Sequence, residues 1–294
     1  MVSLLQSAGR RAFVRFAFDA AFEGFRVMRR EPKAVLSWIA VWMLVLAGIA
    51  VIKVIFGGPP MAGGQRGWWA LLAGFGPLAV VLIPALLVLW IMTIATVFRS
   101  VISPNEHGWH LFKLGPDEAR LGVITTAGFV LMVAFGSAPA LVLFVLAKPL
   151  LAVAPGLGRW IVDGGALATV CLELWIAVRL SLTAVHTFAE GRFHIVGYWR
   201  LTRGHFWRLA ASYAIVFVEI VAVVLALAVA AILSSWVATM VGTPHGVDAA
   251  RRAILLALAL AAALMSAIFF VVPSVIVCAC QAFAYREIVS RPWG

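Results

Sequence analysis

Residues 253–284 read AILLALALAAALMSAIFFVVPSVIVCACQAFA and contain no Asp, Glu, Lys or Arg. An α-helix needs about 20 consecutive apolar residues to cross the hydrocarbon core of a bilayer. This stretch is longer than that, and it is apolar on every face of a helix, which is the pattern of a membrane span rather than of a surface helix. It therefore predicts a transmembrane helix.

Five further segments have the same character. The composition agrees, because 64% of the 294 residues are hydrophobic and only 12% are charged, whereas soluble domains contain roughly 45–50% apolar and about 25% charged residues. This composition excludes a disordered, collagen-like or disulfide-framework protein. The predicted fold is an all-α integral membrane bundle of six transmembrane helices in three hairpins. The other five spans are residues 34–56, a part of 68–98, a part of 121–147, 161–188 and 209–236.

The distribution of positive charge predicts the orientation. If the N-terminus is cytoplasmic, 17 of the 23 Lys and Arg residues lie on that side of the membrane. Cytoplasmic loops are enriched in these residues, so both termini are predicted to be cytoplasmic, in a bacterial inner membrane. The net charge of +11 lies in short connections between the spans. We therefore assign it to anionic lipid rather than to a nucleic-acid partner.

The first 33 residues form a separate element. Arg15, Asp19 and Glu23 recur at helical spacing on one face, and Phe18 and Phe22 do so on another. This pattern predicts an amphipathic helix in the headgroup plane, ended by Glu31-Pro32. A solvated helix packed on another subunit is the alternative. The single membrane domain is then divided into residues 1–33, hairpin 1 at 34–98, connector and hairpin 2 at 99–188, and connector and hairpin 3 at 189–294.

The three cytoplasmic connections resemble one another. Residues 24–36 read GFRVMRREPKAVL, residues 108–120 read GWHLFKLGPDEAR and residues 197–209 read GYWRLTRGHFWRL. Each opens with Gly and an aromatic residue and leads into an odd-numbered span. We interpret them as three copies of one unit, an interfacial segment followed by a transmembrane hairpin. Chance similarity is the alternative, since basic and aromatic flanks are common beside spans. Gly115-Pro116-Asp117-Glu118 also predicts a helix start.

The aromatic and basic side chains of these connections are predicted to form a collar at headgroup depth, where they contact lipid phosphates or a protein partner. His186, His194 and His205 fall in the third connection and are predicted to contact headgroups as well. The collar consists of Trp109, Lys113, Tyr198, Trp199, Arg200, Arg203, Trp207 and Arg208.

Two tracts of these connections carry a family resemblance. Residues 199–209, WRLTRGHFWRL, and residues 113–121, KLGPDEARL, resemble motifs of uncharacterised multi-pass bacterial inner-membrane proteins. Those proteins are similar to the membrane domain found beside some glycerophosphodiester phosphodiesterases. The resemblance implies a six-span helical fold and no established activity. No extramembrane stretch is long enough for the phosphodiesterase's catalytic domain, so no hydrolase activity is implied here.

Ionisable side chains also fall inside the predicted spans. Glu173 and Arg179 lie in the fourth span and Glu219 lies in the fifth. Charges at bilayer depth cost at least about 2.5–3.5 kcal/mol, so such residues normally face the bundle interior and pair. We expect Arg179 to meet Glu219 between consecutive antiparallel helices. One hypothesis is a proton- or cation-coupled polar site, and the other is an internal ion pair or hydrogen bond that fixes helix packing.

The remaining polar residues do not indicate a cofactor or metal site. Glu106-His107-x-x-His110 has the spacing of two metal ligands, but a loop is predicted there and no third ligand is near in sequence. The three cysteines lie within spans and are interpreted as small apolar residues. Asp163 is predicted to cap the outer end of the fourth span.

The favoured function from sequence is a non-enzymatic structural or accessory protein that organises lipid or a larger membrane complex. Its predicted partners are anionic membrane lipids and either a protein partner or a second copy of the chain. The alternative is a small ion-coupled or lipid or small-molecule transporter that uses Glu173, Glu219 and Arg179. A third hypothesis, an intramembrane lipid-modifying enzyme, has no catalytic constellation to support it.

Overall fold

The protein is all-α. The computed structural model describes residues 13–56, 79–103, 115–193, 202–241 and 249–290, and no strand occurs within these ranges. The helices are α1 (13–21), α2 (Glu23–Arg30), α3 (Pro32–Phe56), α4 (Ala79–Ile102), α5 (Pro116–Val153), α6 (Pro155–Leu180), α7 (Thr183–Glu190), α8 (Phe206–Val241) and α9 (Ala249–Ser290).

Among the described residues, six helical segments are long and apolar enough to cross a membrane, which confirms the predicted number and approximate position of the spans. They are Pro32–Ile49, Val80–Ile102, Pro116–Pro149, Pro155–Glu190, Phe206–Val229 and Leu260–Ser290. At 1.5 Å per residue, the 42 residues of α9 extend over about 63 Å. The hydrocarbon core is only about 30 Å thick, so this helix continues beyond it.

Several helix ends follow the local sequence signals. α2 ends at Arg30 and α3 begins at Pro32, as Glu31-Pro32 predicts. α5 begins at Pro116, and the backbone N–H of Gly115 donates to Glu118 Oε2 at 2.8 Å. Asp163 departs from its prediction, because α6 begins at Pro155 after Ala154 and Asp163 lies within the helix. The helix begins at Pro155 because proline is favoured at the first helical position, where its missing N–H is not needed.

The chain divides into two compact units. The first consists of Met1–Ala20, Leu114–Tyr213 and Gln281–Gly294, and the second consists of Ala21–Lys113 and Ala214–Cys280. The first unit therefore contains the third and fourth spans, and the second contains the first two. Helices α8 and α9 contribute to both units, since each passes a division point.

The first unit is organised around an antiparallel hairpin of α5 and α6. Gly136 lies against Glu173, Gly165 against Leu143 and Gly158 against Leu151. Steps of seven and eight residues along α5 are matched by steps of eight and seven residues back along α6, and each step is about two helical turns. Two of the three glycines are on α6 and one is on α5, so small residues let the two backbones approach along the whole seam. The seam continues to α7, which also packs on α5.

In the second unit, α2 packs against α3 and α4. It also crosses α9, because a methyl group added at Gly24 would lie 2.6 Å from Cα of Ile276. Glu23 is buried there and accepts hydrogen bonds from Arg26 and Arg30, at 3.2 and 3.1 Å. The face formed by Phe22 and Phe25 is exposed. The predicted aromatic face is thus exposed, whereas Glu23 of the predicted polar stripe is buried, and a turn at residue 22 separates α1 from α2.

A second contact in this unit joins three spans. The indole Nε1 of Trp42 on α3 donates to the hydroxyl of Thr93 on α4 at 3.3 Å. The same indole stacks on Phe270 of α9, with ring centroids 5.2 Å apart and planes inclined by 10°. A buried indole usually finds a polar partner for its N–H. Trp42 satisfies this requirement while it joins the first, second and sixth spans.

Candidate functional site

The carboxyl group of Glu173 faces the third span. A Cβ atom added at Gly136 would fall on Glu173 Oε1, so the carboxyl oxygen occupies the volume that a side chain would fill there. Gly136 belongs to α5, a helix that carries Pro139 three residues further on. No hydrogen bond or ion pair joins Glu173 to another residue within the described ranges. Glu173 is therefore a carboxyl at membrane depth whose described neighbour is helix backbone.

Arg179 lies between two aromatic rings. Its guanidinium carbon is 5.5 Å from the centroid of Trp175 and 5.4 Å from that of Phe206. Trp175 is one helical turn away on α6, whereas Phe206 is the first residue of α8. A cation over an aromatic face is attracted by the negative potential of the ring, more strongly where water is excluded. These two rings thus hold the guanidinium in place and join the fourth span to the start of the fifth.

Glu219 belongs to the second unit. Both of its carboxylate oxygens are buried, and neither has a hydrogen-bond partner among the described residues. It lies near enough to the buried Cys280 of α9 for an electrostatic interaction. Arg179 and Glu219 fall in different compact units of the chain. Their predicted ion pair therefore stays a prediction.

Part of the collar can be placed. Trp207 is 74% exposed and its ring meets that of Phe206 edge-on, with centroids 5.3 Å apart. Arg203 is exposed and Arg208 is half-buried. Phe206, which contacts Trp207, thus also lies next to Arg179. The sequence predicts Arg179 in a separate polar site, so this contact was not expected. Five predicted collar residues, Trp109, Lys113, Tyr198, Trp199 and Arg200, lie outside the described residues.

His186 departs from its prediction as a headgroup contact. Only 8% of it is exposed, and its Nδ1 lies 3.3 Å from the Tyr285 hydroxyl and 3.4 Å from Glu190 Oε1. Thr183, His186 and Thr187 recur on one face of α7. All three are buried, so this face of the helix points inward. Sequence reasoning missed this face, since it placed His186 in the third connection together with His194 and His205. The signal was present, because the three polar residues follow helical spacing.

Two buried hydroxyls of this face have no described partner. Thr183 Oγ1 and Thr187 Oγ1 are inaccessible and make no hydrogen bond within the described part of the chain, and the same holds for Thr125 Oγ1 on α5. Buried hydroxyls in proteins are usually paired. All three belong to the first unit, where α5 packs on α7. Three buried hydroxyls of α5 and α7 therefore lack a hydrogen-bond partner among the described residues.

Metal and thiol chemistry find little support in the geometry. Within the described ranges no three His, Cys, Asp or Glu side chains are grouped as metal ligands would be. Cys278 and Cys280 are buried in α9, Cys171 is exposed on α6, and none of the three forms a disulfide. His107 and His110 fall outside the described residues. The side chains that do stand out in the spans are Glu173, Arg179 and Glu219.

Comparison of the chain with protein-family models, with curated proteins and with solved structures finds no significant match to any of them.

Proposed function

We propose that the chain is a non-enzymatic membrane protein that organises lipid, or a larger membrane complex, through its aromatic and basic collar. The observation that supports this proposal is the stack of Arg179 on Phe206 beside the exposed Trp207. Indole rings favour the level of the lipid headgroups, and arginine beside them meets phosphate. A cation held in place by two rings loses less conformational entropy when it binds an anion.

The proposal also includes the type of membrane, the orientation of the chain and its partner. The distribution of Lys and Arg favours a bacterial inner membrane with both termini in the cytoplasm. The collar then faces the anionic cytoplasmic leaflet. The similarity of the three connections favours an internal repeat, and the residues 113–121 and 199–209 favour a relation to membrane domains found beside glycerophosphodiester phosphodiesterases. A second copy of the chain or another protein is the partner expected in a larger complex.

Native mass spectrometry after extraction into a lipid-retaining polymer disc tests the proposal. We expect the wild-type chain to retain anionic lipid or a stoichiometric protein partner, and Trp207→Ala to lose most of it. The matched control is Trp160→Ala, because Trp160 is 78% exposed and lies near the start of α6, at the opposite end of that helix from Arg179. Equal retention in the two variants would exclude the collar as the binding surface.

A second candidate function, ion-coupled transport, is favoured by the intramembrane carboxyls. Glu173 lies against helix backbone, and both oxygens of Glu219 are buried without a described hydrogen bond. Acids at membrane depth often mark the paths of ions and protons. We expect Glu173→Gln and Glu219→Gln to fold normally and to reduce ion or proton flux in proteoliposomes. If neither substitution changes flux or ligand binding, transport through these residues is excluded.

A further inference from the structure

A buried carboxylate at the start of α2 holds two arginines. Only 2% of the Glu23 side chain is exposed, and its two oxygens accept hydrogen bonds from Arg26 at 3.2 Å and from Arg30 at 3.1 Å. The next residue, Gly24, lies against the backbone of Ile276 on α9, so this side of α2 faces the helix bundle of its unit. A carboxylate removed from water is costly unless it is paired. Two guanidinium groups are therefore fixed on one carboxyl group.

Both arginines also face outward. Roughly half of each side chain is exposed, and the bonds to Glu23 run through Nη1 of Arg26 and Nη2 of Arg30. A guanidinium carries five N–H donors in one plane, so a second acceptor can be bound beside the first. The fork of donors matches the oxygens of a phosphate group. Two such groups on one carboxyl are thus suited to contact the same phosphate.

The charge around this pair is positive. Glu23 neutralises one of the two guanidinium charges, and the exposed Arg29 and Lys33 add two more. The exposed Glu31 is the only other acid in residues 22–33. An excess of positive charge remains on this surface, so its ligand is an anion.

The position of the arginines favours a lipid phosphate over a soluble one. Arg30 ends α2, and the first span begins two residues later, at Pro32. Side chains this close to the start of a span lie at the level of the lipid headgroups. Phe22 and Phe25 are exposed one to two turns before Arg30, with ring centroids 6.0 Å apart. A lipid would cover these rings with its acyl chains, whereas a soluble anion would leave them in water.

We propose that Arg26 and Arg30, held on Glu23, form a binding site for the phosphate of one anionic phospholipid, whose acyl chains lie against the two exposed rings. Glu23 is a positioning residue. It orders two flexible side chains before the lipid arrives, so less conformational entropy is lost on binding. The site is separate from the collar, because Trp207 belongs to the other unit of the chain.

Native mass spectrometry of the full-length, delipidated protein, titrated with phosphatidylglycerol, tests the site. The measurements are made in the Trp207→Ala background, which removes the exposed indole of the collar. We expect Arg30→Lys to weaken binding of the first lipid about tenfold, the equivalent of one charge-assisted hydrogen bond. Arg29→Lys is the matched control, since Arg29 is exposed but lies outside the pairing with Glu23. Equal affinities in the two lysine variants would overturn the site.

Replacement of Glu23 separates a positioned site from general attraction. Glu23→Gln adds one positive charge to this surface, so general attraction predicts binding that is tighter by about fivefold. We expect weaker binding instead, because the single carbonyl oxygen of the amide cannot accept from both guanidinium groups as the two carboxylate oxygens do. Thermal melting followed by circular dichroism checks that the variant folds, and the lysine pair decides if it does not. Tighter binding by folded Glu23→Gln would contradict the proposal.

Two further titrations identify the ligand. We expect phosphatidylcholine, which has no net charge, to bind several-fold more weakly than phosphatidylglycerol, and millimolar inorganic phosphate to leave the bound lipid in place. Displacement by inorganic phosphate would make this a site for a soluble anion and overturn the lipid assignment. The collar proposal fails separately, because it depends on Trp207 and not on Arg30.

Discussion

The guanidinium carbon of Arg179 lies 5.4 Å from the ring centroid of Phe206, at the start of the fifth span. Trp175 covers it from the same helix at 5.5 Å. This relationship joins an arginine predicted for a polar site with a segment predicted for a lipid-facing collar. It makes the two features neighbours within one unit of the protein.

The first prediction concerns that stack. We expect Arg179→Lys to lower the free energy of unfolding by about 1–2 kcal/mol, because an ammonium group lacks the planar face that stacks on two rings. Denaturation in detergent, followed by circular dichroism, measures the change. Arg159→Lys is the control, since Arg159 is exposed on the same helix. A loss of equal size in both variants would show that the aromatic rings are not the cause.

The second prediction concerns the contact between Gly136 and the Glu173 carboxyl. Alanine is normally better than glycine inside a helix by about 0.5–1 kcal/mol. Gly128→Ala meets nothing within 4 Å and should be neutral or stabilising. Gly136→Ala instead displaces the Glu173 carboxyl and should destabilise the hairpin, which is measured as a lower melting temperature. If both Gly128→Ala and Gly136→Ala raise the melting temperature, the Glu173 carboxyl moves aside without cost and the prediction is wrong.

The crossing of α2 and α9 gives the third prediction. A methyl group at Gly24 would lie 2.6 Å from Cα of Ile276, and a backbone atom cannot rotate away as a side chain can. Gly24→Ala should therefore separate the two helices, at a cost of roughly 1–3 kcal/mol by analogy with overpacked cores. Gly48→Ala in α3 has open space around it and serves as the control. Protease sensitivity of α2 measures the separation, and unchanged cleavage in Gly24→Ala would contradict it.

The fourth prediction concerns Trp42. Thr93→Val keeps the shape of the side chain but removes the acceptor of the indole N–H. The same hydroxyl donates to the Leu89 carbonyl at 2.9 Å, so the variant loses two hydrogen bonds, and each typically contributes a net stability of about 0.5–1.5 kcal/mol. Trp42→Phe removes the donor as well, and in the double variant the two effects should not add. Additive losses in a double-mutant cycle would show that the bond contributes nothing.

Local features of the structure follow from local sequence. The spans, the helix start at Gly115-Pro116 and the break at Glu31-Pro32 agree with prediction, because each depends on a few neighbouring residues. Asp163 shows the limit of this reasoning, since its position near the end of the span predicts a cap, whereas the helix begins at Pro155, about two turns earlier. His186 shows another, because nothing in its own segment indicates that Tyr285, about a hundred residues later, lies beside it.

Hydropathy alone predicts that this protein is helical and that six of its segments are able to cross a membrane. Hydrocarbon contains no hydrogen-bond partners, so an apolar segment of this length satisfies its backbone groups there by forming a helix. Which helix faces pack together is visible only in the folded protein. Lipid and a neighbouring helix are equally apolar, so hydropathy does not distinguish them. The Glu173 carboxyl fits against Gly136 because the glycine leaves the space of a missing side chain. Arg179 stacks on Phe206 because the ring lies at the right distance from the guanidinium. In both contacts the two residues are far apart in sequence.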